Sequence, residues 1–216
     1  MKLESIQASE LVALLSMTRP AGQLYMPIVI RALEERYGFQ TLPSSDALAD
    51  DVFHFAHGHI QGTAFDLSIY RDGVIIKSAS DTTFLEAALE DILQWAETEF
   101  GLIENQAVSV RRFYESNIVI SGKFELQKAM SFDSSIGELL AAPLKKYGVV
   151  DHQYQWTQVS FALDPSSTTG RRASDFVLAR RAGLPANSGI YFSSAPLKTS
   201  DHLEMLSQLE RRLGKK

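Results

Sequence analysis

Three histidines within six residues, His54-Phe55-Ala56-His57-Gly58-His59, form the densest group of chemically versatile side chains in this 216-residue sequence. Neutral imidazoles suit zinc, iron or nickel, and Asp66, His152 or His202 are available to complete a shell. In an extended strand successive side chains alternate, so His57 and His59 face one way and His54 the other. At most two of them then share an ion directly, whereas a closed site wants three or four convergent ligands. The plainer reading is an exposed strand end before a glycine turn. A metal-dependent enzyme around this cluster is the second alternative for function.

Four arginine pairs come next: Arg111-Arg112, Arg171-Arg172, Arg180-Arg181 and Arg211-Arg212. The planar guanidinium fork matches carboxylates and phosphates. If one arginine from each strand pair reached a common face, Arg111, Arg112, Arg180 and Arg181 would supply an anion site. Arg171 and Arg172 fall in a loop that can track a nucleic-acid backbone. Against this, strand edges carry charge simply to prevent edge-to-edge pairing. The overall net charge of −5 also opposes binding driven by counterion release. A phosphate- or nucleic-acid-binding module is therefore the first alternative, not the leading one. The same loop reads Arg171-Arg172-Ala173-Ser174, a pattern resembling a basophilic kinase target and common by chance.

No Gly-x-Ser-x-Gly elbow, phosphate-binding Walker loop, Gly-x-Gly-x-x-Gly after a strand or His-Glu-x-x-His is present. The balance leans away from an enzyme, and no cofactor is implied. The aromatic residues Tyr154, Trp156, Phe161, Tyr191 and Phe192 sit in strand-like runs and read as core beneath helices rather than a base-stacking surface.

Composition narrows the class. With 45% hydrophobic and 22% charged residues, the chain is an ordinary globular protein. The absence of cysteine excludes disulfides, thiolate zinc sites and a cysteine nucleophile, and makes the cytoplasm the simplest location. Met1-Lys2-Leu3-Glu4-Ser5 lacks the positive, then apolar, character of a secretory leader, and no stretch spans a membrane. Charge is unevenly distributed. Residues 1–105 hold 6 Lys+Arg against 16 Asp+Glu, and residues 106–216 hold 15 against 10.

The elements that must position these groups follow from periodicity and caps. Ser9 opens a short helix through Leu11, Leu14 and Leu15, and Pro27 starts a second ending before Gly38, giving an N-terminal helical pair over 1–38. The clearest helix runs from Thr83 to Phe100, with Thr83 and Glu86 as a capping box and Leu85, Leu89, Ile92 and Trp95 on one stripe. Ser135 and Glu138 open another, kinked at Pro143, and a last one begins near Ser200-Asp201. Phe65, Leu67 and Ile69 alternate, then Asp72-Gly73 turns into Val74-Ile75-Ile76, a hairpin. Further strands lie at 108–120, 154–163, 176–180 and 190–193. A switch of apolar parity in 154–163 calls for a bulge or two-sided burial.

The expected fold is a single α+β domain over 1–216, a mostly antiparallel meandering sheet covered by the helices at 83–100 and 200–213. Asp72-Gly73…Ser80-Asp81 and Ser188-Gly189…Ser200-Asp201 share a hairpin-plus-helix layout, a faint hint of internal duplication. Their spacings differ by four residues, so coincidence is the more economical reading. The expected function is a non-enzymatic interaction or assembly subunit of a cytoplasmic complex, a protein partner or self-association being sought through the charge imbalance and no membrane being involved.

Overall fold

A computed structural model of the chain describes residues 1–20, 22, 24–44, 52–105, 110–124, 157–164, 166, 173–185 and 187–213. The helix expected around 135–147, the aromatic residues Tyr154 and Trp156, and Arg171, Arg172 and His152 lie outside these residues.

The segment expected to begin as a helix is instead the longest strand, β1 (Lys2–Leu14). Leu11, Val12 and Ala13 are all buried. A central strand with consecutive buried residues shows a continuous apolar run, which periodicity cannot separate from a buried helix. Only the second helix of the expected pair forms: α1 (Met26–Tyr37), with Pro27 in its first turn and Gly38 left-handed at its end. β2 (Met17–Thr18) lies between them.

Then follow β3 (Phe53–Ile60), β4 (Thr63–Tyr70) and β5 (Gly73–Ser78), a meander whose second turn is the expected Asp72-Gly73. Gly73 is required there because an added Cβ would overlap the carbonyl oxygen of Ala13 on the neighbouring strand. Helix α2 (Thr82–Phe100) buries Leu85, Ala88, Leu89 and Ile92. Its cap differs from the expected box: Asp81, not Thr83, accepts from a backbone amide, that of Phe84 at 2.9 Å. β6 (Ile103–Glu104) pairs with β2. The second half contributes β7 (Arg111–Ser121), β8 (Gln158–Phe161), β9 (Phe176–Arg180), β10 (Ile190–Ala195) and α3 (Thr199–Leu213).

Eight strands form one antiparallel sheet in the order β3-β4-β5-β1-β7-β10-β9-β8. Each half of the sequence therefore owns one end of it. Directly opposed residues share a face. Leu11, Ile76, Leu67 and Phe55 form one row, and Ile118, Ser193, Leu178 and Val159 another on the same side. α1 and α2 close a core over the first row, and α3, through Leu206, closes a second core over the other. All three helices thus cover one face, and among the described residues none covers the other.

The order is symmetric about β1 and β7, with a strand trio outward on each side. From the first residue of β5, Gly73, to the first of α2, Thr82, is nine positions, and from Ile190 to Thr199 is also nine. The four-residue discrepancy noted in the sequence vanishes because α3 begins opposite Thr82 rather than at an Asp cap. Ser9 pairs with Ser116 at the midpoint of this arrangement. Above that pair the two helix starts join reciprocally. The Thr82 amide donates to Thr199 Oγ1 at 3.2 Å, and the Thr199 amide to Thr82 Oγ1 at 2.9 Å.

Candidate functional site

The histidine cluster occupies β3, an outer strand of the sheet. A bulge between Phe55 and Gly58 changes the expected parity. His54 now opposes Ser68 and His59 opposes Ala64, so these two share the helix-free face, while His57 sits in the bulge at φ 59°. Four positions of β4 separate their partners, about 13 Å along the strand, too far for one ion with bonds of about 2 Å. His54 Nδ1 lies 2.9 Å from Ser68 Oγ, and the His57 amide donates to Asp66 Oδ1 at 2.8 Å. The His57 ring is 3.9 Å from the same carboxylate, with both side chains well exposed. No group of three potential metal ligands occurs among the described residues.

The arginines are not brought together either. Arg111 opposes Leu14 and Arg112 opposes Ala13, so they point to opposite faces at one end of β7. Arg180 is level with Tyr191 and Ile120 at the other end, and Arg181 leaves the strand. Nine residues of β7 separate the two levels, about 30 Å. No single phosphate bridges them.

A more organised polar group surrounds Arg112. Glu86 Oε1 accepts from the Tyr114 hydroxyl at 2.7 Å and from Lys198 Nζ at 2.8 Å, with Arg112 Nη1 at 3.9 Å. Lys198 beside it, reinforced by Tyr114 and Arg112, holds the Glu86 carboxyl below its ordinary range. Burial, and the Glu86 carboxylate, push the Tyr114 phenol upward. A neighbouring cavity of about 260 Å³ is lined by Glu10, Val12, Arg112, Phe113, Glu115 and Ser174 among others. It mixes both signs of charge with apolar walls.

His202, expected only as a spare metal ligand, has a different place in the structure. It is fully buried, with Nδ1 2.9 Å from Ser116 Oγ and Nε2 2.9 Å from Ser193 Oγ. Ser193 donates its own proton to the Val177 carbonyl at 2.7 Å. Its oxygen must therefore accept from Nε2–H, which leaves Nδ1 to accept from Ser116. Every polar group in this chain of bonds is satisfied with the imidazole neutral, and burial pushes its pKa down to about 4. Ser116 and His202 have the spacing of a nucleophile and base, but both are sealed from solvent, so no substrate reaches them. The available clue was helical: His202 lies four residues before Leu206, on the buried stripe of α3.

The other half carries a revealing contrast. At the matching register Ser9 replaces Ser116, Leu85 replaces His202 and Ile76 replaces Ser193. Ser9 Oγ is buried there without a hydrogen-bond partner. The positions that hold His202 and Ser193 in the second half are aliphatic here, so nothing at them can bond to this hydroxyl.

No described helix is long and apolar enough to cross a membrane. Comparison of the chain with protein-family models and with curated protein sequences finds no match to either.

Proposed function

We propose that this protein is a non-enzymatic interaction or assembly subunit of a cytoplasmic complex, whose acidic half docks a basic protein surface. The strand order is the observation that carries the reading. Strands β3, β4, β5 and β1 of the acidic half are contiguous, as are β7, β10, β9 and β8 of the basic half, so the described strands of the two halves lie at opposite ends of one sheet. Among the described residues the first half holds 6 Lys+Arg against 13 Asp+Glu, with Glu34, Glu35, Glu90, Glu97 and Glu99 exposed on its helices. The second half holds 8 against 6 among them, with Arg111, Arg112, Lys123, Arg181, Arg211 and Arg212 exposed beside Asp164, Asp175, Asp201 and Glu204. Separated patches of opposite sign steer association and weaken with salt. The basic end of another copy is one surface of the required kind.

We propose further that the two halves descend from one duplicated unit of strand, meander and helix. The matched nine-residue spacing, the Ser9–Ser116 pair and the reciprocal threonine caps support this. Once both units share one chain, each is free to diverge in charge.

The test is charge reversal on the acidic helix. Glu90→Lys with Glu97→Lys, both exposed, should leave the fold intact and abolish any salt-sensitive association seen by light scattering at low ionic strength. Association unchanged by the reversal would remove the electrostatic docking surface.

A further inference from the structure

The two outer edges of the sheet are built differently. The β3 edge is occupied: the Gln40 and Thr41 amides donate to the Ala56 carbonyl at 3.1 and 3.2 Å, and the Ala56 amide donates back to Thr41. The bulge at the same place twists that edge further out of use. Among the described residues nothing flanks the β8 edge. Residues 157–163, Thr-Gln-Val-Ser-Phe-Ala-Leu, contain no charge, proline or glycine. Phe161 is 64% exposed and Leu163 44%. An uncharged, flat edge with exposed aromatic and aliphatic residues is what natural sheets avoid unless a strand covers it.

The backbone is oriented for such a strand. The Arg180 amide donates to the Thr157 carbonyl at 2.8 Å. Alternation then turns the amides and carbonyls of Gln158 and Ser160 outward, away from β9.

We propose that β8 is a dimerisation edge, two copies of this chain pairing β8 with β8 antiparallel about a two-fold axis through Ser160. In that register Gln158 opposes Ala162, and each Phe161 opposes Val159 of the second copy. Val159 and Phe161 both lie on the helix face, facing Leu178 and Phe176. The pairing thus covers the exposed ring and joins the two α3-side cores. Charge agrees with it. The Thr157 end of β8 lies beside Arg180 and Arg181, and the Phe161 end beside Asp164 and Asp175, so antiparallel pairing sets opposite signs together. The bridged, bulged β3 edge is no alternative partner, and a two-fold contact closes on itself without growing into a filament. This contact is separate from the charge-driven docking proposed above, because it rests on backbone pairing and apolar burial.

Sedimentation equilibrium of the full chain at about 1 M salt, where the Debye length is about 3 Å, separates the two. The expected result is a dimer that persists at high salt. Ser160→Pro removes an outward amide and keeps the bonds to β9, so it should weaken dimerisation roughly tenfold or more while the chain stays folded by circular dichroism. Phe161→Lys, at an already exposed position, should do the same. A wild-type monomer at high salt, or a dimer that both variants leave unchanged, would overturn the proposal.

Discussion

Lowering the pH from 7 to 4.5 should strip stability from this protein through one residue, His202. Its imidazole is enclosed, neutral and fully hydrogen-bonded, with its pKa pushed to about 4 against 6.5 for the free side chain. The unfolded chain therefore takes up a proton at higher pH than the folded one. The stabilisation is fully present above about pH 6.5 and is lost progressively down to about pH 4. A difference of two to three pH units corresponds to up to about 3 kcal/mol, most of it spent before pH 4.5. That is a large part of the 5–15 kcal/mol that typically separates folded from unfolded. The carboxyls of Glu86 and Glu210, which ion pairs and hydrogen bonds hold below their ordinary value of 4.5, add acid losses that begin near the lower end of this window and continue below it, in the wild type and the variant alike. Urea unfolding at closely spaced pH values, for the wild type and for His202→Leu, isolates the effect. The variant carries at 202 the side chain that Leu85 supplies in the other half. It should start less stable at pH 7, since Ser116 loses its partner, yet show a much flatter pH dependence. Parallel curves for the two proteins would refute the assignment of the acid response to His202.

Three further outcomes follow from the same packing. Ser9→Ala removes a buried hydroxyl with no partner and should be neutral or stabilising, whereas Ser116→Ala leaves the His202 Nδ1 unpaired and should cost about 1–3 kcal/mol in thermal or chemical unfolding. Gly73→Ala drives a methyl into the Ala13 backbone and Gly58→Ala into the buried Phe39 ring, so both should lower the melting temperature, the first more because backbone on the paired strand cannot repack as a side chain can. Leu85→His alone should be severely destabilising. Adding Ile76→Ser supplies the acceptor that Ser193 provides for His202, and a double-mutant cycle should recover about 1 kcal/mol or more if the halves are equivalent.

Two local patterns are legible in the sequence, whereas the Thr83/Glu86 capping box and the helix at Ser9 are not what forms. The Asp72-Gly73 hairpin and the Leu85-Leu89-Ile92 stripe of α2 depend on neighbours within a few residues, and both are in the structure. The Leu11-Val12-Ala13 run suggests a helix but is a central strand, because its ladder partners on β5 and β7 lie more than fifty positions away. The parity of His54, His57 and His59 failed at a bulge that no residue type announces. His202 gains its meaning from Ser116 on β7, 86 positions earlier, a pairing only the sheet creates. The matched nine-residue spacing is hidden in the sequence because the helix at Thr199 starts one residue before the Ser200-Asp201 signal that suggests a cap.

The most direct measurement of the account is the mass of the unmodified chain by sedimentation, at micromolar concentration and across ionic strength. A salt-resistant dimer, with larger species that form at low salt and disappear as charges are screened, is the predicted behaviour. A single monomeric species at every salt and every concentration would contradict it.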